Sequence, residues 1–190
     1  MDKMKWPSNG NLTIQNLQIK YRPDLPYVIK NLSIDIKQGT KVGIVGRTGA
    51  GKTTLISAIY RNFDEYEGKV IFSGKEISKM DLKVLRNGMT IIPQDPYLFE
   101  DTLRNNLDPM NKFTEVQIKA ILEDVGLWEK FEKLEGIESH IDKGGSNLSQ
   151  GEKQLVCLAR ALLFNNKLVL MDEATANIDS QTEAKIQSLI

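Results

Sequence analysis

One cysteine, Cys157, and one histidine, His140, stand among 190 residues. A single cysteine excludes a disulfide framework and fits a reducing compartment. Its thiol reads as a small buried hydrophobe on a helix and not as a reactive group. Neither sign of charge is in excess, with 25 Lys plus Arg against 25 Asp plus Glu. Nothing in the bulk composition therefore draws nucleic acid or an anionic membrane surface. No apolar run is long enough to span a bilayer: the most apolar helix candidate, residues 155–164, is interrupted by Arg160. The first residues lack the apolar core of a signal peptide. Internal repeats and low-complexity tracts are missing too. What is left is the expectation of one soluble, cytosolic domain that buries a real core. That expectation leaves room for covalent attachment to a membrane segment outside this chain.

Against this plain background one segment is specific. Residues 46–54 read Gly-Arg-Thr-Gly-Ala-Gly-Lys-Thr-Thr, directly after the apolar stretch 42–45. Gly46, four residues, Gly51, Lys52 and Thr53 have the spacing of a phosphate-binding loop. The glycines let the backbone turn tightly and aim N–H groups of the loop, Arg47, Thr48, Gly49 and Ala50 included, at a triphosphate. Lys52 is expected to reach the β- and γ-phosphates as a point charge, and the Thr53 hydroxyl to ligate Mg2+. A helix opening at Lys52 and continuing through Thr54 to about residue 61 adds the positive end of its dipole. The stretch 42–45 is expected to be a strand. The competing interpretation is a glycine-rich turn that merely precedes a helix.

The chain divides into three regions by pattern. Residues 11–96 form a β-rich and phosphate-loop part, with Leu12, Ile14, Leu17 and Ile19, then Leu32, Ile34 and Ile36, in the strand period. Short strands are expected at 70–72 and 90–92. Residues 97–165 read as mostly helical. Thr114 and Gln117 form a capping box that opens one helix, and Gly126 closes it. In residues 166–190 the apolar run 168–171 reads as a buried strand. Strand, phosphate loop, helix and a later buried strand make an α/β fold with a mixed or parallel core sheet, and an N-terminal antiparallel β region and a helical subdomain are expected beside it.

The run 168–171 ends in Asp172 and Glu173. At the C-terminal edge of such a strand, Asp172 would help hold Mg2+ and Glu173 would accept a proton from the attacking water. Taken alone, an apolar strand ending in acids is as well explained by solvated carboxylates. Ser149 and Glu152 have capping-box spacing before the apolar helix that follows, and a helix cap needs no further purpose. The same serine-capped N-terminus, with Gly151 in its first turn, is also a place for the γ-phosphate of a nucleotide.

Three motifs in this order resemble an ATP-binding cassette (ABC) domain, over nearly the whole chain from about residue 12. The resemblance extends to Leu148-Ser-Gln-Gly-Glu152 as the signature and Ala176-Asn-Ile-Asp179 as the D-loop. Tyr21 falls where the family has an aromatic stacked on adenine. Gln94 falls at the Q-loop glutamine, which contacts Mg2+ and reports nucleotide state. The phrases around residues 42–52, 91–96 and 106–109 are similar to the C subfamily, and within it to the second nucleotide-binding domain of multidrug-resistance-associated proteins. Glu173 supports that placement.

The resemblance implies an ATPase that drives solute transport by a membrane exporter, on the cytoplasmic face of the membrane. A nucleotide-sensing cassette of a channel or channel regulator is the alternative. ATP and Mg2+ are the implied ligands. Lys52, Gln94 and Glu173 are the implied catalytic residues, and Thr53, Gln94 and Asp172 the metal ligands. The implied partners are a second cassette, sandwiching two ATP molecules head to tail so that Ser149 and Gly151 serve the partner's ATP, and transmembrane domains of a parent polypeptide. No nucleic acid is expected. Residues 97–106 are expected near the coupling surface. Two departures from the family pattern stand out. Gln150 and Glu152 replace the commoner Gly and Gln of the signature, and Glu152 places an acid near a phosphate site. The switch histidine is missing, because His140 precedes the signature and is expected as a surface loop residue. The cassette is therefore expected to be incomplete at its C-terminal end and weak in hydrolysis on its own.

Overall fold

A computed structural model describes residues 6–63 and 66–172. Its described residues fall into two compact units, 6–91 with 167–172 and 92–166.

The first unit is built on a four-stranded antiparallel sheet in the order β2-β1-β3-β4, from β1 (Leu12–Ile19), β2 (Ile29–Ile36), β3 (Glu67–Phe72) and β4 (Lys75–Glu76). The apolar alternation of β1 slips from Leu12 and Ile14 to Leu17 and Ile19, yet all four side chains are buried. A bulge explains both facts. Asn16 takes φ 50, its register with β2 and β3 shifts there, and the extra residue restores the inward face. Gly68 on β3 fits against this bulge: a Cβ at that position would lie 2.4 Å from the Asn16 carbonyl oxygen. Val70 and Phe72 of β3 close the same core with no exposed surface. Full burial of such side chains stabilises by about 1.5–3 kcal/mol each. Leu32 and Ile36 of β2 pack partly against the core, whereas Ile34 is 38% exposed on this edge strand.

Helix α1 (Lys52–Ile59) buries Ile56, Ala58 and Ile59 in that cluster. Helix α2 (Leu82–Asn87) is capped by the Asp81 carboxylate, which accepts from the Val84 N–H, and buries Leu85. Two short strands, β5 (Thr90–Ile92) and β8 (Val169–Met171), pair with each other, and the Thr90 N–H donates to the Leu168 carbonyl at 2.9 Å. The strand expected over 42–45 is not formed. Val42, Ile44 and Val45 are 45%, 44% and 98% exposed. Composition in this stretch is that of a buried strand, but a strand exists only as part of a hydrogen-bonded ladder, and among the described residues none includes it.

The second unit holds a small antiparallel pair, β6 (Asp101–Thr102) with β7 (His140–Ile141), and four helices: α3 (Leu103–Leu107), α4 (Glu115–Val125), α5 (Trp128–Glu132) and α6 (Gln150–Phe164). The capping box of α4 forms as the sequence indicates, Thr114 accepting from the Gln117 N–H while the Gln117 side chain accepts from the Thr114 N–H, and Gly126 ends the helix at φ 80. Ile118, Leu122 and Val125 on one face of α4 are buried with Leu127 and Phe131. Helix α6 buries seven apolar side chains, Cys157 among them, and ends on Asn165 in the left-handed region. Burial pushes the Cys157 thiol above its ordinary range despite the nearby Arg160 charge and a backbone hydrogen bond at Tyr97. It is the inert apolar residue that its isolation in the sequence suggests. His140 is exposed, on β7, with Asp142 3.7 Å away.

Candidate functional site

The first unit carries the loop of residues 46–51 on the N-terminal end of α1. Its turn is closed by the Ala50 N–H donating to the Arg47 carbonyl at 3.0 Å. Gly49 and Gly51 have φ 81 and 93, and a Cβ on Gly51 would meet Val28 at 3.0 Å. Glycine is required there twice over, by conformation and by space. The Lys52 ammonium folds back on the loop and donates to the Gly46 carbonyl at 2.9 Å. Helices α2, α3, α4 and α6 each have a side-chain cap, from Asp81, Thr102, Thr114 and Ser149, whereas no side chain caps the eight-residue α1 or the five-residue α5. A glycine-led helix start with no side chain across it, a lysine wrapped over the loop, and exposed Thr48 and Thr53 fit a polyphosphate.

Tyr21 lies beside this loop. Its hydroxyl is 2.6 Å from the Thr54 hydroxyl on α1, and its ring meets Phe63 edge-on at 6.4 Å. The side chain is anchored at both ends yet 62% exposed, so a ring face is available for stacking. The sequence marks Tyr21 only by resemblance. That Thr54 holds it had no sequence signal, because the two residues are 33 positions apart. Asp172 directly follows β8 and is 7% exposed. Thr53 and Asp172 offer the hard oxygen donors that suit Mg2+, which commonly takes one or two protein ligands beside phosphate oxygens and water. No group of three or more His, Cys, Asp or Glu able to hold a metal occurs among the described residues. Glu173 and the D-loop residues 176–179 lie outside the described residues.

The second unit carries Gln94, exposed, and the start of α6. Ser149 is the cap of α6: its hydroxyl accepts from the Glu152 N–H at 3.2 Å, and the Glu152 carboxylate accepts from the Ser149 N–H at 2.7 Å. Gly151 sits in the first turn, half-buried. The other Glu152 oxygen accepts from Lys130 on α5 at 2.8 Å. Burial raises the Glu152 carboxyl, but the bonds from Lys130 and from the Ser149 N–H outweigh it and hold the group below the usual carboxylate range. Further along α6, Gln154 is 1% exposed, and neither amide atom has a hydrogen-bond partner among the described residues.

One more cluster lies in this unit, and no sequence signal marks it. Arg160 of α6 donates from Nε to the Asn106 carbonyl, from Nη2 to the Asn106 side-chain oxygen at 3.1 Å, and from Nη1 to the Tyr97 carbonyl at 3.2 Å. Asn106, 2% exposed, accepts from the Phe99 N–H and donates to the Phe99 and Thr102 carbonyls. Together they pin residues 97–102, on which Tyr97 and Phe99 form an exposed edge-to-face pair at 5.3 Å.

The geometry agrees with the comparisons. The model of the family described as ABC transporter matches residues 29–176. The ABC transporter NFT1 of Saccharomyces cerevisiae (strain YJM789) is 44% identical over 205 residues, which cover 97% of this chain and 13% of that protein. The ATP-binding cassette sub-family C member 2 of Rattus norvegicus is 43% identical over 186 residues, covering 97% of this chain and 12% of the relative. A solved structure, that of a bacterial Atm1-family ABC exporter with ATP bound, superimposes with a TM-score of 0.89 at 32% identity, over 96% of this chain and 32% of the other. The chain thus spans about an eighth of the length of these curated relatives. No described helix is long and apolar enough to cross a membrane. With an α/β cassette fold, a phosphate loop and a capped signature helix in family order, the chain belongs to the ABC transporters, as a nucleotide-binding domain of their C subfamily.

Proposed function

We propose that this domain binds and hydrolyses ATP to power solute export across a membrane, as part of a longer polypeptide at the cytoplasmic face. The observation that carries the reading is the unit-one site: a glycine-led loop, Lys52 folded over it, an α1 start with no side-chain cap, and Tyr21 tied to the same helix through Thr54. The backbone of residues 46–51 with Lys52, Thr53 and Thr54 takes the phosphates, and Tyr21 takes the base. Mg2+ would be held by Thr53 and Asp172 and would supply neutralising charge to the phosphates. Glu173 orients the attacking water and takes its proton; water's oxygen bonds to the γ-phosphorus as the bond to ADP breaks. Transport is supported by relatives whose names describe them as transporters, one as a pleiotropic efflux transporter of multiple drugs in Candida glabrata. A second cassette and transmembrane segments are the partners this reading requires, with Ser149 and Gly151 presented to the partner's ATP.

Calorimetry of ATP and of tripolyphosphate against Lys52→Ala and Tyr21→Ala tests the site. Lys52→Ala is expected to remove most affinity for both ligands without unfolding the domain. Tyr21→Ala is expected to weaken ATP about tenfold, as loss of a stacking contact should, and to leave tripolyphosphate unchanged. Equal ATP affinity in Lys52→Ala, or equal losses for both ligands in Tyr21→Ala, would overturn the assignment.

A further inference from the structure

The signature of this chain carries a carboxylate, Glu152, in the first turn of α6. Both of its oxygens are engaged, one by the Ser149 N–H and the other by the Lys130 ammonium from a separate helix, α5. The group is thereby kept ionised and fixed beside Ser149 and Gly151. A full negative charge at this place opposes the very ligand that a serine-capped helix start attracts, because the helix dipole contributes only about half a charge. Lys130 supplies one positive charge at hydrogen-bond distance. The pair is too exposed to matter much for folding, with side chains 37% and 26% accessible. Its consequence is local: it removes a charge from the field at the α6 N-terminus. The cation within this turn, Lys153, brings its stem to Gly145, and no ion pair from it to Glu152 occurs among the described residues.

We propose that Lys130 is a positioning and charge-compensating residue for the signature: it cancels Glu152 so that the start of α6 still accepts the terminal phosphate of a nucleotide. This rests on the reading given above, in which Ser149 and Gly151 serve the partner's ATP. It assigns a role to a residue that lies outside every motif, and it accounts for how this chain tolerates an acid in its signature.

The test is ATP turnover by the full-length protein in membranes, comparing wild type, Lys130→Ala, Glu152→Gln, the double substitution and Ser149→Ala. Lys130→Ala is expected to raise KM for ATP about two- to fivefold, in the range of one charge at a helix end, with the melting temperature unchanged. In the Glu152→Gln background the same substitution is expected to have no effect, and the ratio of mutant to wild-type KM is expected to shrink in high salt. A structural role alone gives neither the rescue nor the salt dependence. If Ser149→Ala impairs turnover while Lys130→Ala does not raise KM, or raises it without rescue by Glu152→Gln, the compensation is wrong and the signature reading survives. If Ser149→Ala has no effect on KM or kcat, the signature reading itself fails and the proposal falls with it.

Discussion

Single residues in this domain are under two kinds of demand, and Gln154 shows the tension between them. Its amide is 1% exposed on α6 with no partner among the described residues, and an unsatisfied buried polar group costs about 1–3 kcal/mol. Gln154→Met, close in volume and free of polar atoms, is expected to raise the melting temperature by a few degrees in differential scanning calorimetry. A lower melting temperature would show that the amide is satisfied by a group beyond the described residues. Residues of the motif class were legible in the sequence because their job is local. Gly51 needs a positive φ, Lys52 stands next to the loop it folds over, and Ser149 caps the helix it precedes. Lys130, Thr54 and Arg160 were not legible in these roles, because each acts through a partner 22 to 63 positions away and sequence spacing carries no trace of such contacts.

Elements formed where the sequence held a complete local instruction. The box of Thr114 and Gln117 with Gly126 defined α4 at both ends, and Ser149 with Glu152 defined the start of α6. The stretch 42–45 has strand composition but joins no ladder among the described residues, and Val42, Ile44 and Val45 stand exposed. The slip in β1 reads as an irregular alternation in the sequence and becomes a bulge only when both neighbouring strands are present. Helix α6 also acts as a beam. It bears the signature at one end and, through Arg160, grips the loop 97–102 near the other. Arg160→Met keeps the apolar stem but leaves the Tyr97 and Asn106 carbonyls without that donor. It is expected to destabilise by about 2–4 kcal/mol in denaturant unfolding and to speed proteolysis within 97–102. Unchanged stability together with an intact loop would show that Asn106 alone holds the segment.

At the scale of the whole molecule, the two units divide the chemistry. Unit one holds the phosphate loop, Tyr21 and Asp172; unit two holds Gln94 and the signature helix. Neutral overall charge fits a domain whose ligand is captured by local dipoles and one lysine and not by a long-range field. The most direct measurement is ATP turnover by the full-length protein in membranes, wild type against Glu173→Gln. Mg2+-dependent turnover is expected in wild type, with near-complete loss in the variant and retained ATP binding in both. Undiminished turnover in Glu173→Gln would contradict the assigned base, and ATP binding without turnover in wild type would make the domain a nucleotide sensor and contradict the account as a whole.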